Sequence, residues 1–365
     1  MKKVGIIFGG RSAEHEISLL SAKNVYEAID RTKFEPVLIG IDKNGRWLLN
    51  DASRFLLNTD NPSLISLNPD GKPVTLNAEH SGMLSAQGAG NFNLDVIFPI
   101  LHGPFGEDGT VQGFLKLAGI PYVGPDVLGS AVGMDKDVMK RLLRDANIPI
   151  GKFLVLKSSE KVPPHKEVEA ALSCGTDGVS PFFVKPANMG SSVGISKVRC
   201  EAEYAAALKD AFLYDTKIII EEFIQGREIE CAVLGNDEPA ASIPGEIIPS
   251  HDFYSYDAKY IDDKGAAIQI PAKLDDETTK RIQQLAVKVF KVLCCEGLSR
   301  VDFFLKSSGD IIVNEINTMP GFTKISMFPK MWEASGISYT ELITRLIELA
   351  ADRFEKERKL KTSII

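Results

Sequence analysis

The apolar positions fall in compact runs and in spaced stripes, and together they predict an alternation of strands and helices. Lys3 to Phe8 is a compact run, read as a strand, and Gly9, Gly10, Arg11 and Ser12 turn it into a helical stripe through Ile17, Leu20, Val25 and Ile29. A strand, a glycine turn and a helix open a parallel α/β unit. Phe34 to Ile41 is the next strand. From Asp51 to Gly90 the pattern becomes polar and irregular, with an Asp70-Gly71 turn, and reads as surface elaboration containing a hairpin. Asp95 to Leu101 returns as a buried strand and runs into the loop from His102 to Gly109. Parallel sheets place ligands in such loops, at the carboxyl ends of their strands.

Pro121 to Pro125 closes this unit, and Gly133 to Asn147 predicts a helix stopped by Pro149. Lys136 and Lys140 share one of its faces and, on their own, read as solvated. Phe153 to Leu156 and Pro181 to Val184 are strands of a second domain. The latter delivers Lys185 into a loop ending at Ser191, Ser192, Val193 and Gly194, whose glycines and hydroxyls suit a polyphosphate cradle of backbone N–H groups. Its lysine precedes its glycines and a strand from Ile195 to Val198 follows, so it is not a Walker A loop. Lys217 to Phe223 is apolar and ends in Glu221, Glu222, Phe223 and Ile224, which fit either a purine contact or a plain strand edge. His251 to Asp263 is a long connection dense in Tyr and Asp, read as a lid. Asp276 to Cys294 predicts a helix, and Ser338 with Glu341 forms a capping box for a last helix through Phe354, with a frayed tail after it.

The informative pattern lies between Arg300 and Gly321. Two β-branched and aromatic runs flank Ser307, Ser308, Gly309 and Asp310, which predicts a hairpin. If Ser308 and Gly309 form the turn, Asp302 faces Glu315 and Arg300 faces Asn317, all four on one side, while Val301, Phe303 and Ile316 point to a core. Like charges directly opposed on a sheet destabilise it unless a cation or a shared proton lies between them. Two carboxylates and an amide oxygen are the hard ligands that Mg²⁺ prefers, with positions left for water and phosphate. A solvated charged face is the competing reading, but it leaves the turn at Asn317, Pro320 and Gly321 unexplained.

Composition narrows the function classes. The chain has 365 residues, 44% hydrophobic and 25% charged, enough for a sizeable core divided over two or three domains. A net charge of −7 gives no general attraction for nucleic acid, and phosphate must be met by local cations. No run approaches a membrane span and the start lacks a signal-like apolar stretch, so a cytoplasmic location and no membrane partner are expected. The five cysteines lack C-x-x-C spacing, which argues against a disulfide framework or a zinc site. Gly9-Gly10 does not match G-x-G-x-x-G, which lowers the reading of a hydride-transferring dehydrogenase.

A phosphate loop with its lysine, a carboxylate pair with an amide, an adjacent arginine and a tyrosine-rich lid suit phosphoryl transfer. Over nearly its whole length the chain resembles the ATP-grasp enzymes, and among them the D-alanine–D-alanine ligase family. The matching segments are Gly9 to Glu14, His102-Gly103 with Glu107 to Thr110, Met134-Asp135-Lys136, Lys185-Pro186 with Gly190 to Gly194, Tyr256 to Tyr260, Arg300-Val301-Asp302, and Asn314 to Thr318 with Pro320-Gly321.

The resemblance implies an α/β fold of three domains, 1–124, 125–223 and 224–365, with ATP between the sheets of the second and third. It implies that Lys136, Lys185, Ser192 and Lys259 contact phosphates and that Glu221, Glu222, Phe223, Ile224 and Glu228 hold the nucleoside. Asp302, Glu315 and Asn317 would bind two Mg²⁺ ions, for which Mn²⁺ can substitute. The first D-alanine would lie against Glu14, His102 and Arg300, and the second against Ser326 and Met327. Glu14, His102, Ser191, Tyr260, Arg300 and Gly321 form the implied catalytic set, with Arg300 and the Gly321 N–H facing a tetrahedral oxyanion. The expected product is D-alanyl-D-alanine, made through an acylphosphate for peptidoglycan precursors, and the expected assembly is a homodimer. Related ligases that take D-lactate or D-serine, another ATP-grasp enzyme and a non-catalytic nucleotide sensor are the alternatives.

Overall fold

The computed structural model describes residues 1–59, 61, 64–77, 83–86, 88, 90–172, 181–249, 266–361, 363 and 364. Within these residues, β1 (Lys2–Gly9) is followed by α1 (His15–Ala28), β2 (Phe34–Ile41) and β3 (Trp47–Asn50). Two short strands, β4 (Leu56–Leu57) and β5 (Ser66–Leu67), pair only with each other, and β6 (Lys72–Asn77), β7 (Met83–Ala86), β8 (Gly90–Asn93) and β9 (Val96–Ile100) complete the first sheet. Its order is β8-β7-β6-β3-β2-β1-β9, and β1 runs parallel to both β2 and β9. A central parallel strand is buried on both faces, and Val4, Ile6, Ile7 and Phe8 are all fully buried. The segment expected as surface elaboration does form hairpins, but they continue this sheet with antiparallel strands.

After α2 (Thr110–Leu117) comes a departure from the expected helix at Gly133 to Asn147. Two helices stand there, α3 (Val127–Met134) and α4 (Lys136–Asp145). Asp135 breaks them apart with an extended backbone, and its carboxylate accepts the Val138 N–H at 3.0 Å as the cap of α4. The cap competes with helix continuation, as short acidic side chains do.

The second sheet holds β10 (Phe153–Lys157), β11 (Phe182–Pro186), β12 (Ser196–Val198) and β13 (Lys217–Glu222) in the antiparallel order β10-β13-β11-β12. Its apolar face packs on α5 (His165–Leu172) and α6 (Glu201–Ala211) through Val168, Tyr204 and Leu208. The third sheet holds β14 (Arg227–Gly235), β15 (Ala240–Ala241), β16 (Gly245–Pro249), β17 (Ala266–Gln269), β18 (Gly297–Leu305) and β19 (Ile311–Asn317), ordered β17-β16-β14-β18-β19 with β15 on β14. Behind it lies α7 (Asp276–Val292), and one core joins α4, α7 and this sheet through Met139, Leu143, Phe290, Val301 and Phe303.

The last two helices, α8 (Met327–Ala334) and α9 (Tyr339–Glu357), lie in a core shared with β1, β9 and α1, where Phe98 meets Phe322 edge-on at 5.7 Å. Ser338 accepts the Glu341 N–H at 3.3 Å, as the capping box predicts, and α9 continues three residues past Phe354 into the segment expected to fray. Among the described residues, no helix is long and apolar enough to cross a membrane.

Candidate functional site

In the hairpin of β18 and β19, Asp302 pairs with Glu315 and Arg300 with Asn317, as the sequence predicts. The route to that register differs from the expectation. Gly309, at φ +84°, closes a turn in which its N–H reaches Lys306 O, and nearer the turn Phe303 pairs with Val313 and Leu305 with Ile311. A bulge between Asp302 and Phe303 takes up the extra residue, Asn314, and restores the pairing at the site. Val301, Phe303 and Ile316 are buried on the far side, whereas Arg300, Asp302, Glu315 and Asn317 are partly exposed.

Arg300 donates from Nε and Nη2 to the two oxygens of Asp302, both at 2.7 Å, and its Nε lies 2.9 Å from Glu230 Oε2. Asn317 donates its amide to Asp302 Oδ2 at 2.9 Å. Glu315 Oε2 faces Lys136 Nζ at 3.6 Å. The opposed carboxylates thus present hard oxygens toward one side, each with a cation beside it. No group of three His, Cys, Asp or Glu side chains suited to a metal occurs among the described residues. A divalent ion here would take the two carboxylates and the Asn317 amide oxygen, and draw its other ligands from substrate and water, which fits Mg²⁺.

A cavity of about 270 Å³ opens between the second and third sheets. Its lining includes Lys136, Lys185, Ser191, Ser192, Glu221, Glu222, Phe223, Ile224, Glu228 and Glu315, together with Lys140, Phe183, Met189 and Phe304. Lys136 and Lys140, read alone as solvated, are 6% and 2% exposed. The reason is long-range. Glu221, arriving on β13, takes Lys185 at 2.6 Å and Lys140 at 3.1 Å, and Lys136 donates to Met189 O at 2.6 Å. Burial would raise the Glu221 carboxyl, but the two ammonium groups overcome it and hold it at about 2. Burial would lower the Lys185 ammonium, and Glu221, Glu315 and Glu228 raise it instead, so a cation is kept facing the cavity.

A second, smaller cavity of about 100 Å³ is lined by Glu14, His102, Glu107, Glu230, Arg300, Asn317, Gly321, Ser326 and Met327, among others. The two cavities share Gly190, Ser191 and Glu315. Ser191 donates its hydroxyl to Glu14, so the loop between β11 and β12 touches the start of α1. Both Ser191 and Ser192 adopt the left-handed backbone, at φ +50° and +61°, a strained conformation of the kind that clusters at ligand sites. Gly103 has φ +76°, and a Cβ there would lie 2.5 Å from Glu14 Oε2. His102 is buried; burial works against its proton, but Glu107 and Glu14 raise its pKa. A Cβ on Gly321 would lie 2.8 Å from Ser326 Oγ, which packs that turn against the site of Ser326 and Met327.

Every expected site residue among those described lines one of the two cavities, with the single exception that Asp302 reaches them through Arg300 and Asn317. Lys259 and Tyr260 lie outside the described residues. The strands flanking their segment, β16 and β17, pair with each other, and Ile247 and Ile268 from them line the smaller cavity. The sequence reading missed Lys140, Glu230, Glu107 and Phe304. Lys140 was visible as a face-mate of Lys136, and Glu107 in the loop after His102, whereas Glu230 and Phe304 gain their places only through strand pairing.

Comparison with known proteins gives the family and the fold. The D-ala D-ala ligase N-terminus family matches residues 3–125 and the D-ala D-ala ligase C-terminus family residues 142–348. A D-alanine–D-alanine ligase from Oceanobacillus iheyensis is 54% identical over 365 residues, covering 99% of this chain and 98% of its own. The structure of the D-alanine–D-alanine ligase from Coxiella burnetii superposes with a TM-score of 0.83 at 38% identity, covering 98% of each chain. The VanG D-Ala:D-Ser ligase from Enterococcus faecalis superposes with a TM-score of 0.83 at 41% identity, covering 96% of this chain and 99% of that one. The mixed α/β architecture is therefore that of the ATP-grasp ligases, and the chain belongs to the D-alanine–D-alanine ligase family.

Proposed function

We propose that the chain uses ATP to join two D-alanines into D-alanyl-D-alanine, a precursor of peptidoglycan. The observation that carries this reading is the meeting of the two cavities at Gly190, Ser191 and Glu315, which brings a cation-lined chamber against a smaller one that holds an arginine. ATP lies in the larger chamber, its base near Glu222 to Ile224 and Glu228 and its phosphates toward Lys136, Lys185 and Ser192. Lys140 supports Lys185 by sharing Glu221. Asp302, Glu315 and Asn317 would hold two Mg²⁺ ions, or Mn²⁺ in their place, which would supply positive charge to offset the charge that moves in phosphoryl transfer.

The first D-alanine presents its ammonium to Glu14 and its carboxylate to Arg300, near His102. That carboxylate attacks the γ-phosphorus, ADP leaves, and an acylphosphate results. The amine of the second D-alanine, whose carboxylate lies at Ser326 and Met327, attacks the acyl carbon. Arg300 and the Gly321 N–H face the oxyanion, and inorganic phosphate departs. Lys259 and Tyr260 belong to the lid that excludes water. The chain is divided at 124 and 223 into three units, it works as a homodimer, and a cytoplasmic setting supplies its ATP.

The test is phosphate release and dipeptide formation by the purified protein with ATP, Mg²⁺ and either D- or L-alanine. Activity with D-alanine alone is the expected result, and equal activity with both would defeat the substrate assignment.

A further inference from the structure

We infer that Ser21 is a positioning residue for the turn that presents the Gly321 N–H; the inference rests on the role proposed above for that group. Ser21 sits on α1, fully buried, and its hydroxyl joins two segments that are remote in sequence. Its Oγ lies 3.0 Å from His102 Nε2 and accepts the Phe322 N–H at 3.3 Å. The other ring nitrogen, His102 Nδ1, lies 3.1 Å from Met319 O. A carbonyl only accepts, so Nδ1 carries a proton.

With the ring neutral, the Ser21 hydroxyl donates to Nε2 while its oxygen receives Phe322 N–H. With the ring protonated, donor and acceptor exchange between Ser21 and Nε2 and the contact is kept. In both states one chain of hydrogen bonds starts on Met319, passes through His102 and Ser21, and ends on Phe322. The residues it grips bracket Pro320 and Gly321. Tyr339 holds the Phe322 carbonyl at 2.6 Å from the other side, and Glu107 stands 3.6 Å from His102 Nδ1.

An oxyanion donor contributes only when it is held at about 3 Å from the place where the negative charge develops. Gly321 has no side chain to anchor it. Its N–H is aimed by its neighbours, and Ser21 is the group that ties one of them to the histidine of the first substrate. The second half of the reaction, amine attack on the acylphosphate, depends on this aim. The first half, attack of a carboxylate on phosphorus, does not.

The experiment is a rapid-quench single turnover of the full chain in excess over ATP, with Mg²⁺ and D-alanine, following ADP and dipeptide together. In the wild type both appear at similar rates. In Ser21→Ala, ADP is expected within about twofold of the wild-type rate while dipeptide lags at least tenfold. Ser21→Cys, close in size but a weak hydrogen-bonding partner, should show the same lag if Ser21→Ala folds poorly. Ser335→Ala, which removes a hydroxyl that accepts the Ile243 N–H at 2.8 Å away from the site, should show no lag. Equal loss of ADP and dipeptide in the Ser21 variants, or no loss of either, would overturn the inference. A wild-type chain that makes no dipeptide would overturn the underlying reading, and this inference with it.

Discussion

Arg300 holds both oxygens of Asp302, two residues along the same strand, with each N–O distance 2.7 Å. One guanidinium therefore stands between the carboxylate assigned to metal and the cavity assigned to the first substrate, with Glu230 on its other flank. Replacing Arg300 with Gln should leave Asp302 and Glu230 facing each other without their shared cation. The expected outcome is a lower melting temperature that Mg²⁺ with ADP restores more strongly than in the wild type, measured by calorimetry. Turnover should fall by about 10²–10³, the usual cost of losing an oxyanion donor.

Glu315 borders both cavities, so its charge matters to nucleotide and substrate alike. Glu315→Gln keeps the size and the strand pairing with Asp302. Circular dichroism should be unchanged while turnover drops by orders of magnitude and the Mg²⁺ concentration needed for half-maximal rate rises. A variant as active as the wild type would remove Glu315 from the metal site.

Glu221 makes stability depend on pH on the acid side. Its folded pKa is lowered to about 2 from an ordinary value of 4.5. A depressed carboxyl contributes stability that is present above 4.5 and lost as pH falls toward 2. Urea unfolding of Glu221→Gln should therefore be less stable than the wild type at neutral pH, with the gap closing through that window. A gap that stays constant down to pH 2 would contradict the pairing with Lys140 and Lys185.

Asp135 caps α4 and also takes Lys217 at 2.5 Å, while the next residue, Lys136, donates to Met189 O at 2.6 Å. Asp135→Ala should cost about 1 kcal/mol from the lost cap. It should also raise the KM for ATP several-fold with a smaller change in kcat, because Lys136 loses its fixed starting point. Denaturant unfolding and steady-state kinetics measure the two effects separately.

Local chemistry was legible in the sequence wherever pairing partners lay close along the chain. The hairpin of β18 and β19 is such a case: alternation and a Ser-Gly turn gave the pairing of Asp302 with Glu315, although the turn sits one step away and the bulge at Asn314 corrects it. The break at Asp135 was harder to see, since a capping aspartate inside an apolar stripe looks like an exposed helical position. Burial of Lys136 and Lys140 was not legible, because it depends on Met189 and Glu221, which arrive some fifty and eighty residues later. The link from Ser21 to His102 and Phe322 is of the same kind. A serine on a helix face carries no sign of what the fold will bring against it.

The core that joins β1, β9 and α1 to α8 and α9 packs the two ends of the chain against each other. Leu342, Ile343, Leu346 and Ile347 share this close-packed core with Leu19, Val25 and Phe98. Chimaeras that exchange the amino-terminal portion between relatives will keep their solubility only when the final helix travels with it.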